Sequence, residues 1–185
     1  MDNGACSYRR YRNGDDQGIA EIIEEYQEGL MLYLNGYVGN LSLAEDLTED
    51  TFVRLVTKKP RYNGKSSFKS WLYGIGRHVA ADAIRRGVRL PCVSLSEVEA
   101  YLADRQDSER VYLRKEDREA LHRGLATLPP EYRAALWLLY FEGFSTDEAA
   151  VALGKSRRQM ANLLYRAKQS LRITLEKEGF AYEEL

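Results

Sequence analysis

Cysteine and histidine are scarce: Cys6, Cys92, His78 and His122 are the only ones in 185 residues. They stand far apart in sequence, so neither metal-ligand spacing nor a disulfide framework is present. Long apolar runs are missing too. The longest, residues 134–141, falls well short of the ~20 apolar residues a spanning helix needs. The chain opens without the apolar segment of a signal peptide, and a cytoplasmic location is expected. No stretch alternates apolar and polar residues as a half-buried strand does. No nucleophile–base pair, glycine-rich phosphate loop or metal cluster stands out, so no enzyme activity, cofactor, metal or small-molecule substrate is expected. A large excess of one charge is also lacking. The net charge of −1 argues against a protein that coats nucleic acid without selectivity.

The charge that is present is unevenly placed. Residues 1–49 carry 3 basic and 10 acidic side chains, whereas residues 50–90 carry 10 basic and 2 acidic. Residues 155–172 hold six basic side chains and no acidic one. Two basic zones therefore lie in an otherwise acidic chain. Two nucleic-acid contacts on two modules would produce this pattern; two solvated faces would also do so.

The second basic zone has the clearest local grammar. Ser145 is followed three residues on by Glu148, and Ser156 three residues on by Gln159. Both are capping boxes, with Gly154 as the turn between two helices. The result is a helix-turn-helix. In the second helix, Met160, Leu163, Leu164, Ala167 and Leu171 recur at helical spacing and should be buried. Arg157, Arg158, Asn162, Tyr165, Arg166 and Lys168 fall largely on the other side. Arginines can bind phosphate or guanine edges, and Asn or Gln can pair with adenine. A solvated basic helix on a bundle would share the spacing; the paired capping boxes and the one-signed face favour DNA.

In chain order, residues 1–17 read as a loose polar lead-in. A helix with one apolar face begins near Ile19 and ends at Gly39–Asn40. The next, LAEDLTEDTFVRLVTK, is capped by Ser42 and exposes Glu45, Asp46, Glu49 and Asp50. That acidic face serves solubility or docks a basic partner. Pro60 ends the helix, and Asn63–Gly64 marks a turn in a basic loop with Tyr62 and Phe68 at its edges. Aromatics among cations suit single-stranded nucleic acid. A helix capped by Ser66 or Ser67 follows, with Phe68 more plausibly core than contact. Residues 87–106 form a plausible linker. A charged helical stretch begins at Asp107, and Pro129–Pro130 starts a helix, EYRAALWLLYFEG, that is apolar nearly all round. The fold class is all-α: two small helical domains, residues 1–89 and 107–185, joined by a linker at 90–106.

Three of these segments, in this order, resemble the extracytoplasmic-function (ECF) group of bacterial sigma factors. LAEDLTEDTFVRLV resembles the segment that binds RNA polymerase, and FKSWLYGIGRHVAADAIRR the helix that reads and opens the −10 element. LPPEYRAALWLLYFEGFSTDEAAVALGKSRRQMANLLYRAKQSLR resembles the domain that reads the −35 element. The resemblance implies binding to core RNA polymerase through Asp46, Glu49, Asp50 and Phe52. It implies −10 contacts from Arg61, Tyr62, Asn63, Lys65, Ser66, Trp71, Tyr73, Arg77, His78 and Arg85. It implies −35 contacts from Ser156, Arg157, Arg158, Gln159, Asn162, Tyr165, Arg166 and Lys168. It further implies promoter DNA as partner, an anti-sigma factor, and a monomer when free or held by that factor. The chain departs from the family at His78, where asparagine is usual. A stand-alone helix-turn-helix regulator is the alternative, although such proteins usually dimerise on two half-sites and no dimerisation segment is visible. A helical adaptor with no DNA role would show no salt-dependent DNA binding.

Overall fold

A computed structural model describes residues 2–86, 121 and 123–177. The expected linker at 90–106, the start of the helical stretch from Asp107, Cys92, His122 and the acidic tail at 181–185 lie outside the described residues. No strand occurs among the described residues, as the all-α reading expects.

The N-terminal half comprises α1 (Asn3–Arg12), α2 (Gln17–Val38), α3 (Leu41–Lys58) and α4 (Phe68–Arg85). The lead-in is thus largely helical, which corrects the loop expected over residues 1–17. Asp2 caps α1 by accepting from the Ala5 N–H at 3.1 Å. Gly39, at φ 65°, closes α2 with its N–H on the Asn35 carbonyl. The cap of α3 is Asn40 rather than Ser42. Asn40 is extended and accepts from the Leu43 N–H at 2.7 Å, which places Ser42 inside the first turn. Lys59 and Pro60 end α3, and Ser67 caps α4 as expected.

The C-terminal half holds helical residues 123–127, then α5 (Pro130–Tyr140), α6 (Thr146–Ala152) and α7 (Arg157–Lys177). Pro130 sits in the first turn of α5, where no N–H is needed. The near-continuous apolar pattern of α5 has a direct cause. Ala134, Ala135, Trp137 and Leu138 enter one core cluster, and Leu136 joins Leu125, Leu128 and Ala167 in a second.

The larger cluster runs from Tyr8 through α2, α3 and α4 to Met160, Leu163 and Leu164 of α7. The two halves therefore share a core. α2 packs on α5, and α4 packs on α6. Each fully buried Leu or Phe contributes about 1.5–3 kcal/mol by leaving water. Leu30, Leu34, Leu72 and Phe68 are all completely sealed. No helix among the described residues is long and apolar enough to cross a membrane.

Candidate nucleic-acid interface

The helix-turn-helix is held by reciprocal caps. The Ser145 Oγ accepts from the Glu148 N–H, and the Glu148 carboxylate accepts from the Ser145 N–H at 2.9 Å. That backbone hydrogen bond, with a second from the Ser145 hydroxyl, pulls the Glu148 carboxyl below its ordinary pKa. Gly154 makes the turn at φ +62°, a region costly for residues with a Cβ. Space is short there as well, because a Cβ on Gly154 would lie 2.6 Å from the Arg77 guanidinium. The second box forms as expected: the Gln159 N–H donates to Ser156 Oγ at 3.2 Å, and Gln159 Oε1 accepts from the Ser156 N–H at 2.8 Å. Gln159 thus spends its carbonyl oxygen on the cap, which leaves its amide nitrogen to reach a base.

On α7, Met160, Leu163, Leu164 and Ala167 are buried and Leu171 is half-buried; Ser156 just before the helix, and Arg157, Arg158, Gln159, Asn162, Tyr165, Arg166 and Lys168 on it, are all exposed. Arg157 is tied to Asp147 at 2.6 Å. No carboxylate among the described residues pairs with Arg158 or Arg166. Tyr165 is 68% exposed, and the Lys168 Nζ lies 5.5 Å from the centre of the Tyr140 ring. Such a face meets the requirements of major-groove binding: phosphate donors along its length and short amide-bearing side chains between them.

The loop before α4 presents Arg61, Asn63 and Lys65 to solvent, with Tyr62 and Ser66 half-buried. Asn63 Oδ1 accepts from the Lys65 N–H at 3.0 Å, which folds the turn locally and orients the Asn63 amide. Tyr62 donates its hydroxyl proton to the Ser66 carbonyl. Its ring packs on Phe68 and Trp71 at 5.6 and 5.2 Å between centroids. Phe68 is wholly core, as expected. Trp71 is only half-buried, His78 is exposed, and Arg85 is exposed but paired with Asp82.

Two of the expected contact residues are placed differently. Tyr73 is fully buried between Tyr33 and Phe144, so its ring does not reach the surface in this arrangement. Burial raises its pKa well above the ordinary value. Phe52, a polymerase contact by the resemblance, is 7% exposed and belongs to the core, the side on which the helical spacing puts Thr51 or Phe52; Asp46, Glu49 and Asp50 do stand in solvent. Arg77 is half-buried, with its Nε on the Ala152 carbonyl at 3.2 Å and Nη2 3.0 Å from His78 Nε2. The first of these contacts brings α4 against the last residue of α6, so the two candidate DNA-contacting modules are neighbours.

Sequence reasoning missed α1. Its Tyr8 and Tyr11, spaced one helical turn apart, are both buried, and that spacing within SYRRYR was the available signal.

Comparison with known proteins fits this layout. Residues 22–90 match the family model for sigma-70 region 2, and residues 118–171 match that for sigma-70 region 4. The chain is 29% identical over 160 residues to the RNA polymerase sigma factor YlaC of Bacillus subtilis, covering 86% of this chain and 92% of that one. It is 30% identical over 160 residues to the ECF RNA polymerase sigma factor SigE of Mycolicibacterium smegmatis, covering 86% of this chain and 62% of that longer one. Among solved structures, CnrH in complex with the cytosolic domain of CnrY superposes with a TM-score of 0.69 at 20% identity, over 95% of this chain and 99% of that one. The sigma factor RpoE of Bartonella quintana, solved with the anti-sigma factor NepR, gives 0.61 at 20% identity, over 85% and 96%. At such identity the likeness is one of fold.

Proposed function

The chain belongs to the sigma-70 family, in its extracytoplasmic-function group, and we propose that its two halves divide the work of a sigma factor. As a sigma factor it binds core RNA polymerase, directs it to promoters and assists their opening. In our reading residues 1–89 dock on the polymerase and engage the −10 element, residues 90–106 connect, and residues 107–185 read the −35 element. The observation that carries this division is the doubly capped helix-turn-helix. It presents a one-signed face on α7 and stands in the same chain as an exposed acidic stripe on α3 and a basic, aromatic loop before α4.

α7 enters the major groove by its N-terminal half. Basic side chains on phosphates fix its register, and Arg158, Gln159 and Asn162 reach base edges. The acidic stripe of Asp46, Glu49 and Asp50 meets a basic surface of the polymerase. At the −10 element, the loop and the exposed part of α4 hold bases of the opened strand. Unpairing a base costs a few kcal/mol, and each base stacked on an aromatic ring returns about 1–3 kcal/mol. A few contacts, with the polymerase's own, are enough to balance the cost. The sigma factor takes no chemical step itself. In our reading it acts in the cytoplasm as a monomer, with an anti-sigma factor as its antagonist; RpoE, which shares the fold, was solved with the anti-sigma factor NepR.

Run-off transcription from a promoter library, with purified core polymerase and with or without the chain, tests the reading. Promoter-specific transcripts that need the chain are expected. Tight, polymerase-independent binding to a two-fold-symmetric operator would instead favour a stand-alone regulator.

A further inference from the structure

Tyr140 is the last residue of α5, and no role has been given to it so far. Its ring is 61% exposed, so it gains little from leaving water, yet its place is fixed. Phe141, next in the chain, stacks on Trp137 at 4.3 Å between centroids and 9° between planes, and Trp137 is buried in the core. The end of α5 is therefore anchored. One turn before Tyr140, Leu136 enters the small core cluster that also holds Ala167 of α7. Lys168 follows Ala167 directly. Tyr140 and Lys168 thus meet where the contact between α5 and α7 opens to solvent, with the Lys168 Nζ 5.5 Å from the ring centre.

The basic side chains of α7 are not equivalent. Arg157 is tied to Asp147 at 2.6 Å and Arg172 to Glu176 at 2.7 Å, so a carboxylate offsets each charge. Lys168 is exposed, and no carboxylate among the described residues pairs with it. An aromatic face attracts a cation through its quadrupole and leaves the charge in place. The Lys168 ammonium is therefore held without being neutralised, and it has three N–H donors to offer. Its place along α7 matters as well. An α7 that enters the major groove by its N-terminal half puts Arg158 among the bases. Lys168 stands about 15 Å further along the axis, at ~1.5 Å per residue. The groove is about 12 Å wide, so Lys168 emerges at the sugar–phosphate backbone rather than at a base edge. A free lysine loses rotamer freedom when it grips a phosphate, and one already held loses less.

We infer that Tyr140 is a positioning residue for the duplex contact: its ring holds the Lys168 ammonium at the rim of the major groove, where that ammonium donates to a DNA phosphate. This rests on the sigma-factor reading, and it adds to the −35 contact a residue that lies outside the helix-turn-helix. The ring is the part that acts; the Tyr140 hydroxyl is not required.

The test uses holoenzyme assembled from core polymerase and the full chain. Its probe is a labelled duplex carrying both elements of a promoter that this holoenzyme transcribes, and affinity is measured across salt concentrations. Lys168→Gln should make the slope of log K against log salt shallower by about 0.9, the value for one phosphate contact on a duplex. Tyr140→Leu should weaken binding about 2- to 5-fold, as the loss of an exposed cation–π contact does. Tyr140→Phe keeps the ring face and should rescue that loss. In the Lys168→Gln background, Tyr140→Leu should have no further effect, a non-additivity that lost packing at the end of α5 would not produce. An unaltered melting temperature checks that each variant folds. A slope that Lys168→Gln does not change overturns the inference. So does a loss from Tyr140→Leu that is as large without Lys168 as with it, and so does an equal loss from Tyr140→Phe, which would place the effect in the hydroxyl. A holoenzyme that yields no promoter-specific transcript overturns the sigma reading and this one together. A transcribing holoenzyme that binds with full affinity after Tyr140→Leu overturns this one alone.

Discussion

The Tyr73 hydroxyl donates to the Glu142 carboxylate at 2.7 Å, which joins a buried residue of α4 to the turn that follows α5. Lys69 completes the junction: its Nζ lies 2.9 Å from the same Glu142 oxygen and 3.1 Å from the Glu142 carbonyl. The ammonium also sits 4.9 Å from the centre of the Phe144 ring. Two donors and one acceptor therefore satisfy one another where the two halves of the chain meet. The junction carries more than area burial does, because the Tyr73 hydroxyl left alone would be a polar group held away from water.

Glu142→Ala should therefore destabilise the fold by about 1–3 kcal/mol, the usual cost of stranding a buried hydrogen-bond donor. Glu142→Gln keeps an acceptor for Tyr73 and should cost less. Urea denaturation of the unmodified chain and both variants checks the order. Equal stability in all three would mean that water replaces the carboxylate at no cost.

This junction also marks where sequence reading stops. The two capping boxes were legible because each partner lies three residues away, and both form. The buried stripe of α7 was legible for the same local reason. The fate of Tyr73 was not, since its partner Glu142 is 69 positions distant. Trp71, two residues earlier on the same helix, gives no hint that one ring is half-exposed and the other sealed. α1 escaped because its polar composition hides what fixes it: Asp2 reaches Phe68 across 66 positions, and Gly4 matters only once Phe68 and Tyr26 are in place. The cap of α3 was misplaced because both Asn40 and Ser42 satisfy the local rule, and backbone geometry chose the first.

Alkaline pH should erode stability through the buried tyrosines. Desolvation raises Tyr8 to about 12 and Tyr37 to about 12, and it also pushes Tyr33 and Tyr73 well above the ordinary value. In the unfolded chain these groups ionise near 10. Above that pH the unfolded state holds fewer protons than the folded one, so stability falls as pH rises. Their contribution is intact below about pH 10 and lost progressively up to each folded-state pKa. Urea midpoints measured from pH 8 to 11.5 should be flat at first and decline from about pH 10. A flat profile throughout would mean that these rings ionise in place.

Ser145→Ala should cost about 1 kcal/mol of stability, with a range of about 0.5–2 kcal/mol for caps of this kind. The Ser145 hydroxyl serves the Glu148 N–H and touches its carboxylate at 2.8 Å, so both arms of the box weaken together. Glu148 loses a donor that lowers its pKa and should titrate closer to the ordinary glutamate value. A fall in melting temperature, with an upward shift of the Glu148 carboxyl resonance titration, checks both consequences. Ser145→Thr, which retains an oxygen acceptor, should recover most of the loss.

Arg158 and the acidic stripe of α3 should fail in opposite ways. Arg158 is exposed on α7 without an ion-pair partner among the described residues, so its loss disturbs no packing. Arg158→Ala removes one base or phosphate contact, worth about 1–3 kcal/mol if bidentate to a base, and should lower promoter-specific run-off transcription about 5- to 150-fold. Binding to core polymerase should be unaffected. Asp46→Ala with Glu49→Ala should do the reverse at the first step: the holoenzyme forms less readily, and the defect deepens at low salt, where the charge attraction it removes is least screened. Co-migration of each variant with core polymerase, measured beside run-off output, separates the two. Loss of polymerase binding in the Arg158 variant would overturn the groove assignment of α7. Normal transcription from the double variant would remove the docking role of α3. Because the two faces lie on separate helices with no shared partner, their effects on transcription should add in free energy when combined. A strongly non-additive combination would mean that docking on the polymerase and reading of the duplex are coupled through the core that the two halves share.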